Sequence, residues 1–175
     1  MKQTSWALGL LMTAAVVAQT ALGAKVVHLA QADLGQQIGD GECTTLVDQV
    51  LRGAGARGLG SYGGYGPDTD YVWGTPIQLK DVQPGDVIQF RNYHMTRRIQ
   101  HADGSASNKT ADAPHHTGIV QTNDGNGQIT IIEQSVGTPV QTNSLGFASG
   151  TFNTHGDTIT CTVTGQLWYY RPIAR

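Results

Sequence analysis

Charge is scarce in this chain of 175 residues, and neither sign dominates. Asp and Glu number 13 against 11 Lys and Arg, the formal net charge is -2, and charged residues make up 14% of the sequence. So small an acidic balance gives no long-range attraction to nucleic acid or to an anionic membrane. Basic residues are scattered, with one local cluster at Arg97 and Arg98. We therefore expect no nucleic-acid partner.

Cysteine is also scarce, since Cys43 and Cys161 are the only two. A zinc site needs a tight spacing of ligands, and the sequence has none. His115 and His116 are adjacent, and on a strand they would point to opposite faces, so they could not easily share one metal. We expect no metal site and no cofactor.

Long apolar runs are missing beyond the N-terminus. Residues 1–24 carry Lys2, then an apolar run over residues 6–18, then small residues, which is the pattern of a secretory signal peptide. Cleavage is expected after Gly23 or Ala24. The run is too short, and its flanks are wrong, for a committed transmembrane span. We expect a secreted or periplasmic, monomeric protein, with residues 25–175 forming a single domain.

The residue pattern predicts helices in the first half of the mature chain and strands in the second half. Apolar spacing indicates one helix over about residues 26–34 and another over residues 43–54, and glycines follow each. Residues 57–70 form a loop rich in Gly and Tyr. Strand-like runs follow at residues 87–90, 116–122, 128–134, 158–164 and 166–171, with a weaker one at 139–145. This order predicts an α+β fold, in which N-terminal helices pack on an antiparallel sheet of about five to six strands.

Two connections in the second half carry particular predictions. The sequence NDGNG at residues 123–127 is a strong hairpin turn. The polar segment 94–114 is longer than a typical connection and is interpreted as an exposed rim or lid.

Three reactive side chains come together in this scheme. Cys43 stands at the start of the second predicted helix, His116 begins a strand, and Glu133 ends the next strand. The hairpin between those strands places His116 beside Glu133. Backbone N–H groups at a helix N-terminus stabilise a thiolate, a histidine completes the ion pair, and a carboxylate fixes the tautomer of that histidine. The pattern predicts a cysteine nucleophile with its base and an orienting acid.

Four motifs in order, GEC at the helix start, PGDVIQF, HHTGIV and IIEQS, resemble the CHAP family of cysteine, histidine-dependent amidohydrolases and peptidases. They resemble more distantly the NlpC-type cell-wall peptidases. The likeness covers roughly residues 26–172. It implies a papain-like fold with Cys43 as nucleophile, His116 as base, Glu133 as orienting acid and Asp86 as a structural turn residue. It also implies peptidoglycan as the substrate class, cleaved at the sugar–peptide amide or within the stem peptide.

Other interpretations stay open beside this one. Cys43 could form a disulfide with Cys161, because two cysteines in an exported protein often pair; otherwise Cys161 is interpreted as a buried strand residue. The chain could be a catalytically inactive, secreted wall-binding or interaction domain of the same fold. It could also be an exported antibacterial toxin with an immunity partner.

Substrate contacts are assigned to Tyr62, Tyr65 and His115. The two tyrosines lie in the glycine-rich loop, and aromatic loops can line substrate clefts, although a solvated loop is the alternative. His115 stands beside the expected base.

Overall fold

Two helices lead the chain. The computed structural model describes residues 6–64, 66 and 68–175, with the backbone alone for residues 6–18. Helix α1 spans Trp6–Ala32 and helix α2 spans Cys43–Ala54. The bounds predicted for α2 are confirmed. Its apolar positions are buried, and Gly55 ends it in the left-handed region (φ 88°), where its N–H donates to the carbonyl of Arg52.

Helix α1 joins residues 6–24 of the predicted signal peptide to residues 26–32 of the predicted first helix in one continuous helix, and residues 1–5 lie outside the described residues. Gly23 packs closely against the turn at Pro84 and Gly85. Cleavage after Gly23 or Ala24 would leave Val26 and Ala30, both fully buried, in the mature chain. The signal peptide stays a prediction. No helix among the described residues is long and apolar enough to cross a membrane.

A single antiparallel sheet follows the helices, and the fold is α+β as predicted. In the described part of the chain the sheet has seven strands, more than the five to six expected. They are β1 Thr75–Ile77, β2 Val87–Gln100, β3 Ala106–Asn123, β4 Gln128–Ser135, β5 Thr138–Gly146, β6 Gly150–Thr154 and β7 Asp157–Arg171. Their spatial order is β1-β7-β2-β3-β4-β5, and β6 pairs with residues 157–161 at the start of β7.

The interpretation of residues 94–114 as a rim or lid is wrong. Residues 94–100 and 106–114 form the outer halves of β2 and β3, and a turn over residues 101–105 joins them. The two strands pair from Val87 with Ile119 to Gln100 with Ala106. Here β2 lies between β3 and β7, so its backbone is hydrogen-bonded on both sides. Side chains of the outer halves remain largely exposed, and polar residues therefore occupy them without the apolar alternation that marks a strand in sequence.

Apolar side chains cover both faces of the sheet. Val87, Ile119 and Ile132 face α1 and α2 in the first core, and Ile88 and its neighbours on the opposite face form a second core. Consecutive strand residues point to opposite faces, which explains why Val-Ile and Ile-Ile pairs recur.

The sheet curls over the second core, and Tyr93 marks the closure. The Tyr93 hydroxyl donates to the carbonyl oxygen of Gly146 at 2.6 Å, which brings the end of β5 against β2. Gly146 also lies against Cys161 of β7 and Met95, where a Cβ atom would not fit.

The disulfide interpretation is contradicted by this arrangement. Both cysteines are free. Cys161 is 3% exposed in the second core, as expected of a buried strand residue, whereas Cys43 begins a helix that packs on the other face.

A β-bulge divides β2. Asn92 has a φ of 50°, and between Arg91 and His94 strand β2 has one residue more than β7. As a result Phe90 and Tyr93, three residues apart, both face the second core. Gly165 on β7, with a φ of 96°, lies directly beneath the carbonyl of Asn92.

Gly165→Ala should destabilise the protein, because the new Cβ would collide with the carbonyl oxygen of Asn92 at a left-handed backbone position. We expect a loss of about 3 kcal/mol in the free energy of unfolding, measured by urea denaturation. Gly104→Ala is the matched control, since Gly104 has a similar φ of 86° with nothing within 4 Å, and should lose only about 1 kcal/mol. Equal losses in the two variants would contradict the steric explanation.

Candidate active site

Cys43 is the first residue of α2 and is partly exposed. The preceding Glu42 has extended backbone and no side-chain cap. Asp40 organises this start instead: its Oδ1 accepts from the Glu42 N–H at 3.1 Å and from the Thr45 hydroxyl at 2.7 Å. N–H groups in the first helical turn have no partner within the helix. The Cys43 thiol therefore lies where backbone dipoles favour an anion.

His116 and Glu133 meet as the sequence predicted. The Nε2 atom of His116 lies 2.9 Å from Oε2 of Glu133, and their side chains are only 12% and 10% exposed. A carboxylate accepts and does not donate, so Nε2–H is the donor of this hydrogen bond. The Nδ1 atom of His116 is then left for the thiol of Cys43.

The electrostatics of the pair favour the charged imidazolium. Burial lowers the pKa of His116, but interactions with Cys43 and Glu133 outweigh burial and raise the pKa to about 9. Burial likewise opposes ionisation of Glu133, whereas hydrogen bonds from His116 and Asn143 and the charge of Lys109 hold its pKa below the ordinary value. At neutral pH His116 is therefore protonated and Glu133 ionised.

Gln134, which follows Glu133, fixes the helix that carries Cys43. It is fully buried, its Oε1 accepts from the Ile38 N–H at 2.6 Å, and its Nε2 donates to the carbonyls of Ile38 at 2.9 Å and Glu42 at 3.1 Å. One side chain on β4 thus joins the strand of Glu133 to the N-cap of α2.

Cys43 and His116 line one cleft of about 250 Å³. A second cleft of about 210 Å³ is lined by Glu133 and Asn143. His115 and His116 border both clefts, so the two clefts are neighbours that share these two histidines.

Gln89 lines the cleft of Cys43 and is not among the site residues predicted from the sequence. It is 1% exposed, and its Oε1 accepts from the indole N–H of Trp73 at 3.2 Å. Because an indole nitrogen only donates, this contact fixes the orientation of the amide and leaves Nε2 as a donor. A glutamine within the apolar start of β2, VIQF, is the sequence signal that could have indicated it.

Arg91 forms ion pairs with the end of the glycine-rich loop, beside the cleft. The guanidinium pairs with Asp68 and, at 2.8 Å, with Asp70. His115 adds a contact of 3.0 Å between its Nε2 and the carbonyl of Thr69, and its ring stacks on Tyr71 at 6.0 Å. Residues 68–70, the described end of this loop, are therefore attached to β2 and β3.

The three residues assigned to substrate contacts have different positions. His115 borders the cleft. Tyr62 lies beside Arg57 and Ile173 and is not among the described residues that line the cleft. Tyr65 lies outside the described residues. Within the described part of the chain, no group of three or more His, Cys, Asp or Glu could hold a metal ion.

A helix-borne cysteine facing a histidine and a carboxylate on an antiparallel sheet defines a domain of the cysteine proteinase fold. Residues 14–175 match the family described as the AIM3/BBC1 cysteine proteinase-fold domain, and the chain belongs to that family. This match supports the papain-like fold; the narrower CHAP or NlpC-type assignment rests on the motifs alone. Searches of curated proteins and of solved structures found no match to the chain.

Glu133→Gln should lower the pKa of His116 from about 9 in the wild-type protein, because the ionised acceptor at Nε2 is lost. NMR titration of the His116 ring measures this change. Asp157→Asn is the control: Asp157 pairs with His101 at 3.0 Å and should leave the His116 titration unchanged. An unaltered His116 titration in Glu133→Gln would contradict the electrostatic interpretation.

Proposed function

We propose that this domain is a cysteine hydrolase that cleaves amide bonds by acyl transfer. The observation that carries the proposal is the buried contact of His116 with Glu133, at 2.9 Å, in a cleft that Cys43 shares at a helix N-terminus. A nucleophile, a base hydrogen-bonded to an orienting group and a concave site are the components such chemistry needs. The intact set favours an enzyme over an inactive interaction domain.

The proposed reaction has two steps. The Cys43 thiolate attacks the amide carbonyl, and as the C–N bond breaks the protonated His116 gives its proton to the leaving amine. Neutral His116 then takes a proton from water, whose oxygen attacks the thioester, and the acid and the thiolate are released. Glu133 holds the Nε2–H of His116 throughout, which keeps Nδ1 directed at the reacting atoms.

Two donors can stabilise the oxyanion of the tetrahedral intermediate. One is the backbone N–H of Cys43 at the start of α2, and the other is the Nε2 of Gln89, whose amide Trp73 orients. Both groups border the cleft of Cys43.

The two neighbouring clefts, which share His115 and His116, favour a substrate that continues on both sides of the scissile bond. An amide-linked polymer fits this requirement better than a small molecule. Peptidoglycan, the substrate class implied by the resemblance to CHAP domains, is the first polymer to test, and polypeptides are the second. We also propose export, on the composition of residues 1–24; the toxin interpretation has no structural observation in its favour.

Cys43→Ala should abolish turnover and leave the melting temperature close to that of the wild-type protein, because Cys43 is partly exposed and forms no disulfide. Release of new amino groups from purified peptidoglycan and from an unfolded polypeptide measures turnover. Cys161→Ala is the control and should keep activity, since Cys161 lies in the second core. Substantial turnover by Cys43→Ala would overturn the assignment, and an inactive wild-type protein on both polymers would favour the interaction domain.

Gln89→Leu should lower kcat by about 100-fold with little change in KM, because the oxyanion donor acts only in the transition state. Steady-state kinetics on the substrate found active above measure both constants. The Gln89 amide would have no such role if kcat stayed within a few-fold of the wild-type value.

A further inference from the structure

The carboxylate of Glu133 has a second partner besides His116. Its Oε1 accepts from Nδ2 of Asn143 at 2.8 Å, and Oδ1 of Asn143 accepts from Nζ of Lys109 at 2.6 Å. The ammonium also donates to the carbonyl of Ser144 at 2.9 Å. A continuous line of contacts therefore runs from Lys109 through Asn143 and Glu133 to His116.

The charged groups at the two ends determine the orientation of the Asn143 amide between them. An ammonium only donates and an ionised carboxylate only accepts. The Asn143 amide between them can satisfy both in one orientation only, with its oxygen toward Lys109 and its nitrogen toward Glu133. It connects the cation to the carboxylate without bringing the two charges into direct contact.

Several further titratable or charged groups surround Glu133. They come from three elements: Cys43 of α2 beyond His116, Tyr93 and Arg97 of β2, and Lys109, Asp112, His115 and His116 of β3. Burial and the charge of Arg97 lower the pKa of Lys109, while the charge of Glu133 acts in the opposite direction. Burial and Arg97 thus oppose the ionisation of Lys109, while Glu133 and the two acceptor oxygens of Asn143 and Ser144 favour it.

We propose that Lys109 and Asn143 are positioning residues, which keep Glu133 ionised and fixed against His116 and so set the lower pH limit of the reactive cysteine–histidine pair. The inference rests on the proposed roles of Cys43, His116 and Glu133. The hydrogen bond from Asn143 and the charge of Lys109 both lower the pKa of Glu133. Removing either one raises that pKa, so that Glu133 takes up its proton at a higher pH as the solution is acidified.

The test follows alkylation of Cys43 by iodoacetamide between about pH 4 and about pH 9, together with NMR titration of His116. The variants are Asn143→Asp, which places a like charge beside Glu133, and Lys109→Met. In Asn143→Asp the acidic limb of the labelling rate should move upward by about one pH unit, and in Lys109→Met it should move in the same direction by less.

Arg98→Met is the matched control. It removes a cation from the same pair of strands, but Arg98 is exposed and contacts Gln100 at 3.2 Å. Its labelling profile should coincide with that of the wild-type protein. A purely structural role for Lys109 and Asn143 would change melting temperatures without moving the acidic limb, and profiles that coincide in all variants would overturn the proposal. If Asn143→Asp does not fold, Lys109→Met decides, because Lys109 lies on the outer half of β3.

Alkylation requires no substrate, so this result does not depend on amide hydrolysis. A shifted limb in a protein that cleaves neither polymer would support the positioning role while contradicting the proposed function. If the wild-type protein cleaves one of the polymers but the acidic limb is unshifted in Asn143→Asp and Lys109→Met, the proposed function would be supported and the positioning role contradicted.

Discussion

The buried amide of Gln134 is the contact on which the site depends. Cys43 belongs to a helix, and His116 and Glu133 belong to a sheet, so the distance between the Cys43 thiol and the His116 imidazole is set by how helix and sheet are joined. Gln134 makes that joint with three hydrogen bonds, two to Ile38 and one to Glu42. Because the side chain is fully buried, losing any partner would leave a polar group unsatisfied, which costs about 1–3 kcal/mol. The hydrogen bonds of Gln134 therefore stabilise one particular placement of the helix on the sheet.

The bulge at Asn92 has a comparable role on the sheet. It puts Phe90 and Tyr93 on the same face, and the paired residues of β3 follow, with His116 opposite Phe90 and Ala113 opposite Tyr93. The outer half of β3 thereby presents Lys109 on the face that carries His116. Curling of the sheet, closed by Tyr93 and Gly146, then brings β5 and Asn143 within reach. The register irregularity and the curl together place Lys109 of the outer half of β3 against Asn143, which hydrogen-bonds the carboxylate of Glu133.

Sequence patterns predicted the parts of this structure that depend on local signals. Helix α2 has a regular apolar face and a glycine at its end, and the NDGNG turn fixes the hairpin that joins His116 to Glu133. The outer halves of β2 and β3 could not be predicted, since their strands are defined by backbone pairing while their side chains are mostly exposed and polar. The contacts of Asn143 and Lys109 could not be predicted from the sequence either. The contact of Asn143 with Glu133 follows from the pairing of β4 with β5, in which Gln141 lies opposite Glu133. The contact of Lys109 with Asn143 depends on the curl of the sheet and joins residues 34 positions apart with no periodic signal.

The free-energy cost of burying His116, Glu133 and Lys109 indicates whether these residues serve stability or chemistry. A buried ion pair gains little over well-packed apolar side chains of similar volume, because desolvation of both charges offsets their attraction. Here a histidine and a carboxylate are nearly buried together, and a lysine is partly desolvated behind them. A domain that only had to fold or bind could fill the same volume with apolar residues at no loss. The arrangement has a physical reason if a protonated His116 must be held next to Cys43, since burial alone would drive that proton away. The electrostatic design therefore favours a reactive cysteine over a scaffold that merely retains the fold.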